Sequence, residues 1–203
     1  LKGTPFEKSI ALHQPAKRAI GAAAGALCEP GEGVIIDGGS TTYQMCDHLD
    51  GKGLQVLTNS LHIVNALLPQ TGTRILLPSG AVFREQNIIL SPFENDVTRN
   101  FYARRMFMGA QGLGPLGLME ADPLLIQAEQ KLIDQADDLI VLVDSSKFNK
   151  RSSLILCGLK RIATVITDSG IEDRHAAMLE AAGVTLIVAG REETKSEKSS
   201  VGS

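Results

Sequence analysis

Short apolar runs alternate with longer amphipathic stretches along most of the chain. The runs have the length and aliphatic content of buried strands, and they span residues 34–37, 55–57, 74–77, 105–109, 139–144, 163–167 and 185–188. Apolar positions at helical spacing predict helices at residues 16–28, 43–49, 61–68, 123–136 and 172–182. Strands that alternate with helices favour crossover connections. We therefore predict an α/β fold, a mainly parallel sheet with helices on both faces.

The pattern is less regular between residues 81 and 122. Residues 88–90 predict a short strand, and Ser91 followed by Pro92 predicts a helix that runs to about residue 101. The glycine-rich residues 110–122 predict a loop, and within it Gly112-Leu113-Gly114-Pro115-Leu116-Gly117 has the spacing of a dinucleotide-binding motif. Because Pro115 stands where the helix of such a motif should begin, we interpret the segment as a flexible loop over a crevice.

Neither end of the chain shares the alternating pattern. Residues 1–14 lack a clear amphipathic period and predict a linker or an edge strand, and Pro15 suits the first turn of the helix that follows. Residues 190–203 are polar, and we expect a mobile tail. Residues 15–189 show neither a repeat nor an internal boundary, so we predict one domain there.

Composition narrows the classes of function. The formal net charge is −3 without a concentrated Lys/Arg cluster, which argues against nucleic-acid binding by this segment itself. The three cysteines and four histidines lack metal-ligand spacing, so no metal is predicted. No signal peptide or membrane-spanning run is visible, and we expect a cytoplasmic protein with reduced thiols.

The strand at residues 34–37 ends in a segment with its own chemistry. Asp37 is followed by the turn Gly38-Gly39-Ser40-Thr41-Thr42, which opens a predicted helix. Glycines allow close approach of a ligand, hydroxyls donate hydrogen bonds, and helix amides favour an anion, most naturally a phosphate. An ordinary strand–turn–helix junction with Ser40 or Thr41 as the helix cap explains the same residues. Both interpretations are open from this stretch alone.

Four further predicted strands end in polar residues. Carboxyl ends of parallel strands meet at one crevice of an open α/β sheet, which is where ligands bind. Hydroxyl, amide, carboxylate and amine groups together favour a polar, sugar-like ligand. The residues concerned are Asn59 and Ser60 after residues 55–57, Ser79 and Gly80 after 74–77, Gln111 and Gly112 after 105–109, and Asp144 and Lys147 after 139–144.

One carboxylate stands at an unusual position. Glu129 falls on the apolar stripe formed by Leu125, Leu132 and Ala136 of the predicted helix, where it would be desolvated. It could accept ligand hydroxyls or pair with Lys147, or the stripe could be half-buried with Glu129 at its rim. Asp37 or Glu129 could serve as a general base, but no second acid is placed with either. No catalytic residue and no cofactor are predicted.

Several segments together resemble a known family. They are the helix containing Ala16-Lys17-Arg18, then GVIIDGGSTTYQMCDHL, LQVLTNSLHIVNALL, RILLPSG, FMGAQGLGPLGLMEADPLLIQAEQKLI and LIVLVDSSKF. Their order and spacing resemble the C-terminal effector domain of DeoR-type bacterial transcriptional repressors, over roughly residues 6–188. NIILSPFEND and AEQKL look closest to repressors of L-ascorbate utilisation. Ser79 replaces the first glycine of a pair common in the family, a departure that bears on the identity of the effector.

The resemblance implies a fold shared with ribose-5-phosphate isomerase, glucosamine-6-phosphate deaminase and CoA transferases. It also implies a phosphorylated sugar or polyol as effector, operator binding by a helix-turn-helix domain that precedes residue 1, and a homo-oligomer, either dimer or tetramer. No contact with a membrane is expected. By the resemblance, residues 38–42 bind the phosphate, whereas the sugar is lined by Asp37 and by the strand-end residues and Glu129 named above.

Two enzyme classes on the same fold are alternatives. A sugar-phosphate isomerase or deaminase would need an acid/base pair that the sequence does not show, and fold alone does not imply function. A CoA transferase would need a glutamate poised for thioester attack, for which Glu129 on a helix stripe is poorly placed. We therefore predict a sensor and not an enzyme.

Overall fold

The computed structural model describes residues 6–91 and 96–190. In chain order the strands are β1 (Gly33–Ile36), β2 (Gln55–Leu57), β3 (Arg74–Leu76), β4 (Ala81–Phe83), β5 (Ile88–Leu90), β6 (Ala103–Met108), β7 (Gly112–Gly114), β8 (Gly117–Glu120), β9 (Ala136–Leu142), β10 (Leu154–Cys157), β11 (Ile162–Asp168) and β12 (Thr185–Ala189). The helices are α1 (Phe6–Ala11), α2 (Gln14–Leu27), α3 (Ser40–Tyr43), α4 (Leu61–Leu67), α5 (Pro123–Ile133) and α6 (Asp173–Ala181).

A parallel sheet of seven strands forms the centre of the domain, in the order β12-β11-β9-β6-β1-β2-β3. Each of its neighbouring pairs runs parallel, because helices or longer crossovers connect consecutive strands. In the middle of the sheet Ile35 pairs with Met106 on one side and with Leu57 on the other. The carboxyl ends of β1, β2 and β6 therefore lie side by side.

Helices cover both faces of this sheet, as the alternating pattern predicts. Since successive strand residues point to opposite faces, Val34 and Ile36 join the apolar core with α2, α4 and apolar side chains of residues 45–49. Ile35 joins the opposite core with α5 and α6. Strands buried on both faces read as continuous aliphatic runs, which is why the runs were visible in the sequence.

The glycine-rich residues 110–122 are not a flexible loop. They contain β7 and β8, which pair antiparallel and form a second, three-stranded sheet with β10. Every residue of β7 and β8 is buried. Gly112 suits this position because a Cβ atom there would lie 2.5 Å from the carbonyl oxygen of Lys150. The glycines thus serve close packing of the chain, and the prediction of a loop was wrong.

The segment after β3 leaves the central sheet. β4 and β5 form an antiparallel hairpin, of which only β5 was predicted. Ser79 donates from its amide and its hydroxyl to Asp96 Oδ2, at 2.6 and 2.7 Å, and so attaches the base of the hairpin to the segment before β6. The helix predicted from Ser91 to about residue 101 falls partly outside the described residues, and residues 97–100 form a short 3₁₀ turn.

Two boundaries differ from the prediction in ways that concern the cleft described below. The segment expected as a linker or an edge strand contains a helix, α1. The helix predicted at residues 43–49 instead begins at Ser40, lasts one turn, and is followed by a 3₁₀ turn at Cys46–His48. The start of α5 is as predicted, because Asp122 caps the Leu124 amide at 2.8 Å ahead of Pro123. The predicted polar tail at residues 191–203 lies outside the described residues.

Within residues 6–91 and 96–190, no helix combines the length and the apolar character that crossing a membrane requires.

Candidate functional site

A cleft opens where β1, β2, β6 and β9 end. Its cavity measures about 100 Å³, and helices α1 and α5 contribute to its lining. Its lining residues come from eight separate parts of the chain: Phe6, Ser9, Gly38, Gly39, Ser40, Thr41, Ser60, Gln86, Gly109, Ala110, Gln111, Glu120, Glu129, Leu142 and Lys147. The topology therefore brings together four of the five strand ends that the sequence pattern associates with one crevice.

The turn after β1 is held in a fixed shape. Thr42 is fully buried, and its hydroxyl donates to the carbonyl oxygens of Asp37 at 2.8 Å and Gly39 at 3.0 Å. Gly38 packs closely, since a Cβ atom there would lie 3.0 Å from Ile88 Cγ2. Ser40 and Thr41 line the cleft. Because α3 is one turn long, its dipole is small, and the turn offers a ligand mainly hydroxyls and amides.

A buried lysine lies against this turn. Lys17 of α2 is only 3% exposed, and its Nζ donates to Ser40 Oγ at 3.0 Å and to the carbonyl oxygen of Ser9. Burial lowers its pKa, Asp144 opposes that change, and Lys150 adds to it. An ammonium group held out of water beside a serine hydroxyl is a strong donor for an anion.

Two more lysines act near this turn, Lys147 in the lining of the cleft and the exposed Lys150 outside that lining. Lys147 is half-buried on the 3₁₀ turn Ser145–Asn149, and burial together with the charge of Lys150 lowers its pKa. Asp144 is the carboxylate that acts on both Lys17 and Lys147. We call Lys17, Lys147 and Lys150 the cationic end of the cleft. Three ammonium groups around one carboxylate leave an excess of positive charge there.

The opposite part of the cleft holds three buried carboxyl groups, Asp37, Glu120 and Glu129, which we call the acidic end. Burial raises the pKa of Glu129 well above its usual range, and the charges of Asp37 and Glu120 raise it further. Burial also raises the pKa of Asp37, whereas hydrogen bonding by Glu129, the Gly38 amide and Asn59 lowers it. Burial and the two neighbouring carboxyl groups therefore favour the protonated form of Glu129, whose side chain hydrogen-bonds with Asp37.

Two buried acceptors at this end have no hydrogen-bond partner within the described residues. They are Glu129 Oε2 and Asn59 Oδ1. Buried polar atoms are almost always paired in folded proteins, and leaving one unpaired costs about 1–3 kcal/mol. A ligand that brings hydroxyl donors would pair both atoms.

The residues predicted from the sequence divide into two groups. Gly38, Gly39, Ser40, Thr41, Ser60, Gln111, Glu129 and Lys147 line the cleft. Asp37 and Asn59 lie behind this lining, and Thr42 and Asp144 have structural partners, the latter accepting from the Ser146 amide at 3.1 Å. Glu129 is 7% exposed, so the interpretation that placed it at a half-buried rim was wrong. No ion pair with Lys147 is found within the described residues.

Three further predicted residues, like the four just named, are not among the described residues that line the cleft. Ser79 bonds to Asp96 instead, and Gly80 packs where a Cβ atom would lie 2.1 Å from the carbonyl oxygen of Leu90. Gly112 packs against Lys150. Burial disfavours ionised Asp96, but hydrogen bonds from Thr98 and Ser79 outweigh it and lower the Asp96 pKa. The end of β3 thus serves the hairpin.

Sequence reasoning missed Lys17 and Glu120. A signal for Lys17 was present, because Lys17, Ile20, Gly21 and Ala24 are the buried positions of α2 and follow helical spacing. A charge on such a stripe is the same signal that singled out Glu129. Glu120 and Gln86 carry no comparable local signal.

The fold and the cleft define an α/β ligand-binding domain. The family model for the DeoR C terminal sensor domain matches residues 12–169. The chain therefore belongs to the DeoR C-terminal sensor domain family.

Curated relatives agree with this assignment. The HTH-type transcriptional regulator UlaR of Shigella dysenteriae is 34% identical over 185 residues, which cover 91% of this chain and 73% of the relative. UlaR of Salmonella newport matches with the same identity and coverage. Since these relatives are transcriptional regulators, the prediction of a sensor is confirmed, and the isomerase or deaminase alternative is not favoured.

Solved structures share the fold. The eIF2B beta subunit from Chaetomium thermophilum matches with a TM-score of 0.55 at 14% identity and covers 83% of this chain. Ribose 5-phosphate isomerase A from Methanocaldococcus jannaschii matches with a TM-score of 0.49 at 16% identity and covers 66% of it. The chain spans about half the length of these proteins, 54% in both cases. The parallel seven-stranded sheet and the match to the eIF2B beta subunit confirm the predicted α/β fold.

Proposed function

We propose that this domain is the sensor of a transcriptional repressor and binds a phosphorylated sugar or polyol in the cleft. The observation that carries the proposal is the separation of charge within one small cavity. Ammonium groups and hydroxyls lie at one end, and protonated or hydrogen-bonded carboxyl groups lie at the other. A sugar phosphate has the matching polarity, since one end is a dianion and the other carries hydroxyls.

At the cationic end, the phosphate would accept from Ser40, Thr41 and the amides of the turn. Lys17 and Lys147 supply the charge, and charge-assisted bonds of this kind are worth about 1.5–3 kcal/mol each. Lys17 already donates to Ser40 Oγ, so an oxygen bound to that hydroxyl also lies close to the ammonium group.

At the acidic end, ligand hydroxyls would donate to Glu129 Oε2 and Asn59 Oδ1, the two unpaired acceptors. Gln111 and Glu120 line the same side and add further polar contacts. A ligand that presents an acceptor there would leave both atoms unpaired, which is costly in a buried site. Specificity for a hydroxylated ligand follows from that cost.

The relatives are named as helix-turn-helix regulators, which supports operator binding by such a domain of the whole protein. The effector would bind one arrangement of the protein more tightly than another and so weaken operator binding. A ligand with equal affinity for both arrangements would have no effect. We place this function in the cytoplasm and in a homo-oligomer, a dimer or a tetramer.

A thermal-shift screen tests the proposal. Phosphorylated sugars and polyols are compared with their unphosphorylated counterparts, and a true effector at a hundredfold excess over its Kd stabilises the domain by about 2.7 kcal/mol. The double variant Ser40→Ala/Thr41→Ala should lose most of that stabilisation. Thr185→Ala removes an exposed hydroxyl from β12 and should retain it. Full stabilisation of the double variant would exclude the turn as the phosphate site.

A further inference from the structure

Helix α1 occupies the mouth of the proposed phosphate site. Its Ser9 hydroxyl lies 3.0 Å from Ser40 Oγ, and its Ser9 carbonyl oxygen accepts from the Nζ of Lys17. These two oxygens contact the hydroxyl and the ammonium group that a bound phosphate would use. In the structure, Ser9 therefore takes the position of a ligand oxygen.

The attachment of α1 to the domain is slight. The helix contains no buried residue, and beyond Ser9 its contacts at the cleft come from Phe6. The Phe6 ring stacks on His62, with ring centres 3.8 Å apart, and meets Tyr43 edge-on at 5.5 Å. An aromatic contact of this kind holds a helix in place but is easily broken compared with a packed core.

The joint between α1 and α2 is a further sign of a movable element. His13 directly precedes α2 and has a φ of 52°, in the left-handed region that residues other than glycine seldom adopt. Such conformations persist where the surroundings impose them, and they concentrate at switch regions. Release of α1 would let His13 relax.

The small size of the cavity also indicates that α1 moves when a ligand binds. With α1 in place it measures about 100 Å³. Ligand pockets ordinarily measure about 300–1,000 Å³. Phe6 and Ser9 belong to its lining, so movement of α1 enlarges it.

From these contacts we infer that α1 is a displaceable strap: phosphate binding at Lys17 and Ser40 expels Ser9 and releases the helix. The inference rests on the proposed phosphate site and adds how that site is regulated. Because the strap competes with the ligand, only molecules with an open strap can bind. The apparent affinity is therefore the intrinsic affinity multiplied by the fraction of molecules in which the strap is open. Weakening the strap should therefore strengthen binding, whereas a helix that merely supports the site would weaken binding when damaged.

The first experiment uses inorganic phosphate as the probe, with chloride at matched ionic strength. Phe6→Ala removes the stacking on His62 and Tyr43 and should bind phosphate about 2- to 10-fold more tightly than the parent chain by thermal-shift titration. Leu12→Ala shortens an exposed side chain of the same segment and should leave the affinity unchanged. Weaker binding by Phe6→Ala would overturn the inference.

The second experiment follows the strap in the unaltered chain. Hydrogen exchange of residues 6–12 should become severalfold faster when phosphate is added, while residues 38–42 become more protected.

A fluorescent variant gives an independent measurement. Because the chain has no Trp, Phe6→Trp adds a reporter whose emission should shift to the red when phosphate is added, with Tyr102→Trp as an exposed control. Two outcomes would overturn the strap while leaving the proposed function intact. One is slower hydrogen exchange of residues 6–12 on addition of phosphate, and the other is thermal stabilisation by phosphate without a change in exchange or in Trp emission. The absence of any stabilisation by phosphate and by sugar phosphates would overturn the proposed function with it.

Discussion

The two ends of the cleft hold charges of opposite sign, yet they are not paired with each other. Asp144 and Lys150 act on the pKa of both Lys17 and Lys147, and Lys17 also acts on Lys147, whereas the carboxyl groups that act on Glu129 are Asp37 and Glu120. Each end carries groups whose ionised form is disfavoured by burial. A protein built only for stability would join such groups in ion pairs or replace them with apolar residues.

The two ends differ in what compensates for the burial of their ionisable groups. At the acidic end, burial and the neighbouring carboxyl groups favour the protonated form of Glu129, and a protonated carboxyl group still has an oxygen that can accept a hydrogen bond. The cationic end keeps its ammonium groups close together and satisfies Lys17 with a serine hydroxyl and a backbone carbonyl. One end is therefore prepared for neutral hydroxyls and the other for an anion. The following variants separate the two contributions.

The largest effect is expected from Lys17→Met. Removing the buried ammonium group should lower the affinity for a phosphorylated ligand by about 10- to 100-fold, because a charge-assisted bond of about 1.5–3 kcal/mol is lost. The affinity for the unphosphorylated analogue should change little. Isothermal titration calorimetry measures both.

Lys52→Met is the matched control, since Lys52 also bonds backbone carbonyls of α2, those of Gly25 and Cys28 at 2.8 Å each, but at the end of α2 remote from the cleft. It should leave both affinities unchanged. Equal losses for the phosphorylated and unphosphorylated ligands in Lys17→Met would contradict the assignment of Lys17 to the phosphate.

An intermediate effect is expected from Glu129→Gln at the acidic end. The raised pKa of Glu129 means that the folded state binds its proton more tightly than the unfolded state. That stabilisation is present at low pH and is lost as the pH rises through the folded pKa. Glutamine cannot ionise, so the variant should gain stability relative to the parent as pH rises, and each 1 kcal/mol gained raises the Tm by about 2–4 °C.

The measurement is the Tm of both proteins between about pH 5 and pH 8. Glu180→Gln alters an exposed residue of α6 by the same chemistry and should follow the parent throughout. A parallel pH profile for Glu129→Gln and the parent would show that Glu129 is ionised across this range, and the acidic end would then not be neutral.

Much of the fold could be predicted from the sequence, because strands of a parallel sheet that are buried on both faces appear in the sequence as aliphatic runs. β2 and β5 have the predicted bounds, and α5 begins at the predicted residue, Pro123. The hairpin of β7 and β8 was not predicted, since its glycines are selected by close contacts with a distant segment. Local propensity favours a loop wherever glycines cluster, and tertiary packing overrides it here.

The site was predictable to the extent that it depends on strand ends. Ser40, Gln111 and Lys147 follow strands and reach the cleft as expected. Ser79 also follows a strand but bonds to Asp96, a partner that no local pattern reveals. The contact of Ser9 with Ser40 joins positions far apart in the chain, so only the tertiary structure could show that α1 closes the cleft.

The smallest effect is expected from Lys150→Met. Lys150 is exposed, and its charge lowers the pKa of Lys17 and of Lys147 without a place in the cleft lining. At low salt its removal should weaken binding of a phosphorylated ligand by about 2- to 5-fold, the range of exposed charge interactions. The loss should vanish at high salt, because the screening length falls from about 10 Å at 0.1 M to about 3 Å at 1 M.

The buried Lys17 is screened far less, so the loss in Lys17→Met should persist at high salt, and Lys160→Met, which removes another exposed charge, serves as the control. Titrations of all three variants at both salt concentrations compare a buried with an exposed charge at the same end of the cleft. If the effect of Lys150→Met survived high salt, Lys150 would have to contact the phosphate directly. The phosphate site would then extend beyond the residues that line the cavity, to which Lys150 does not belong.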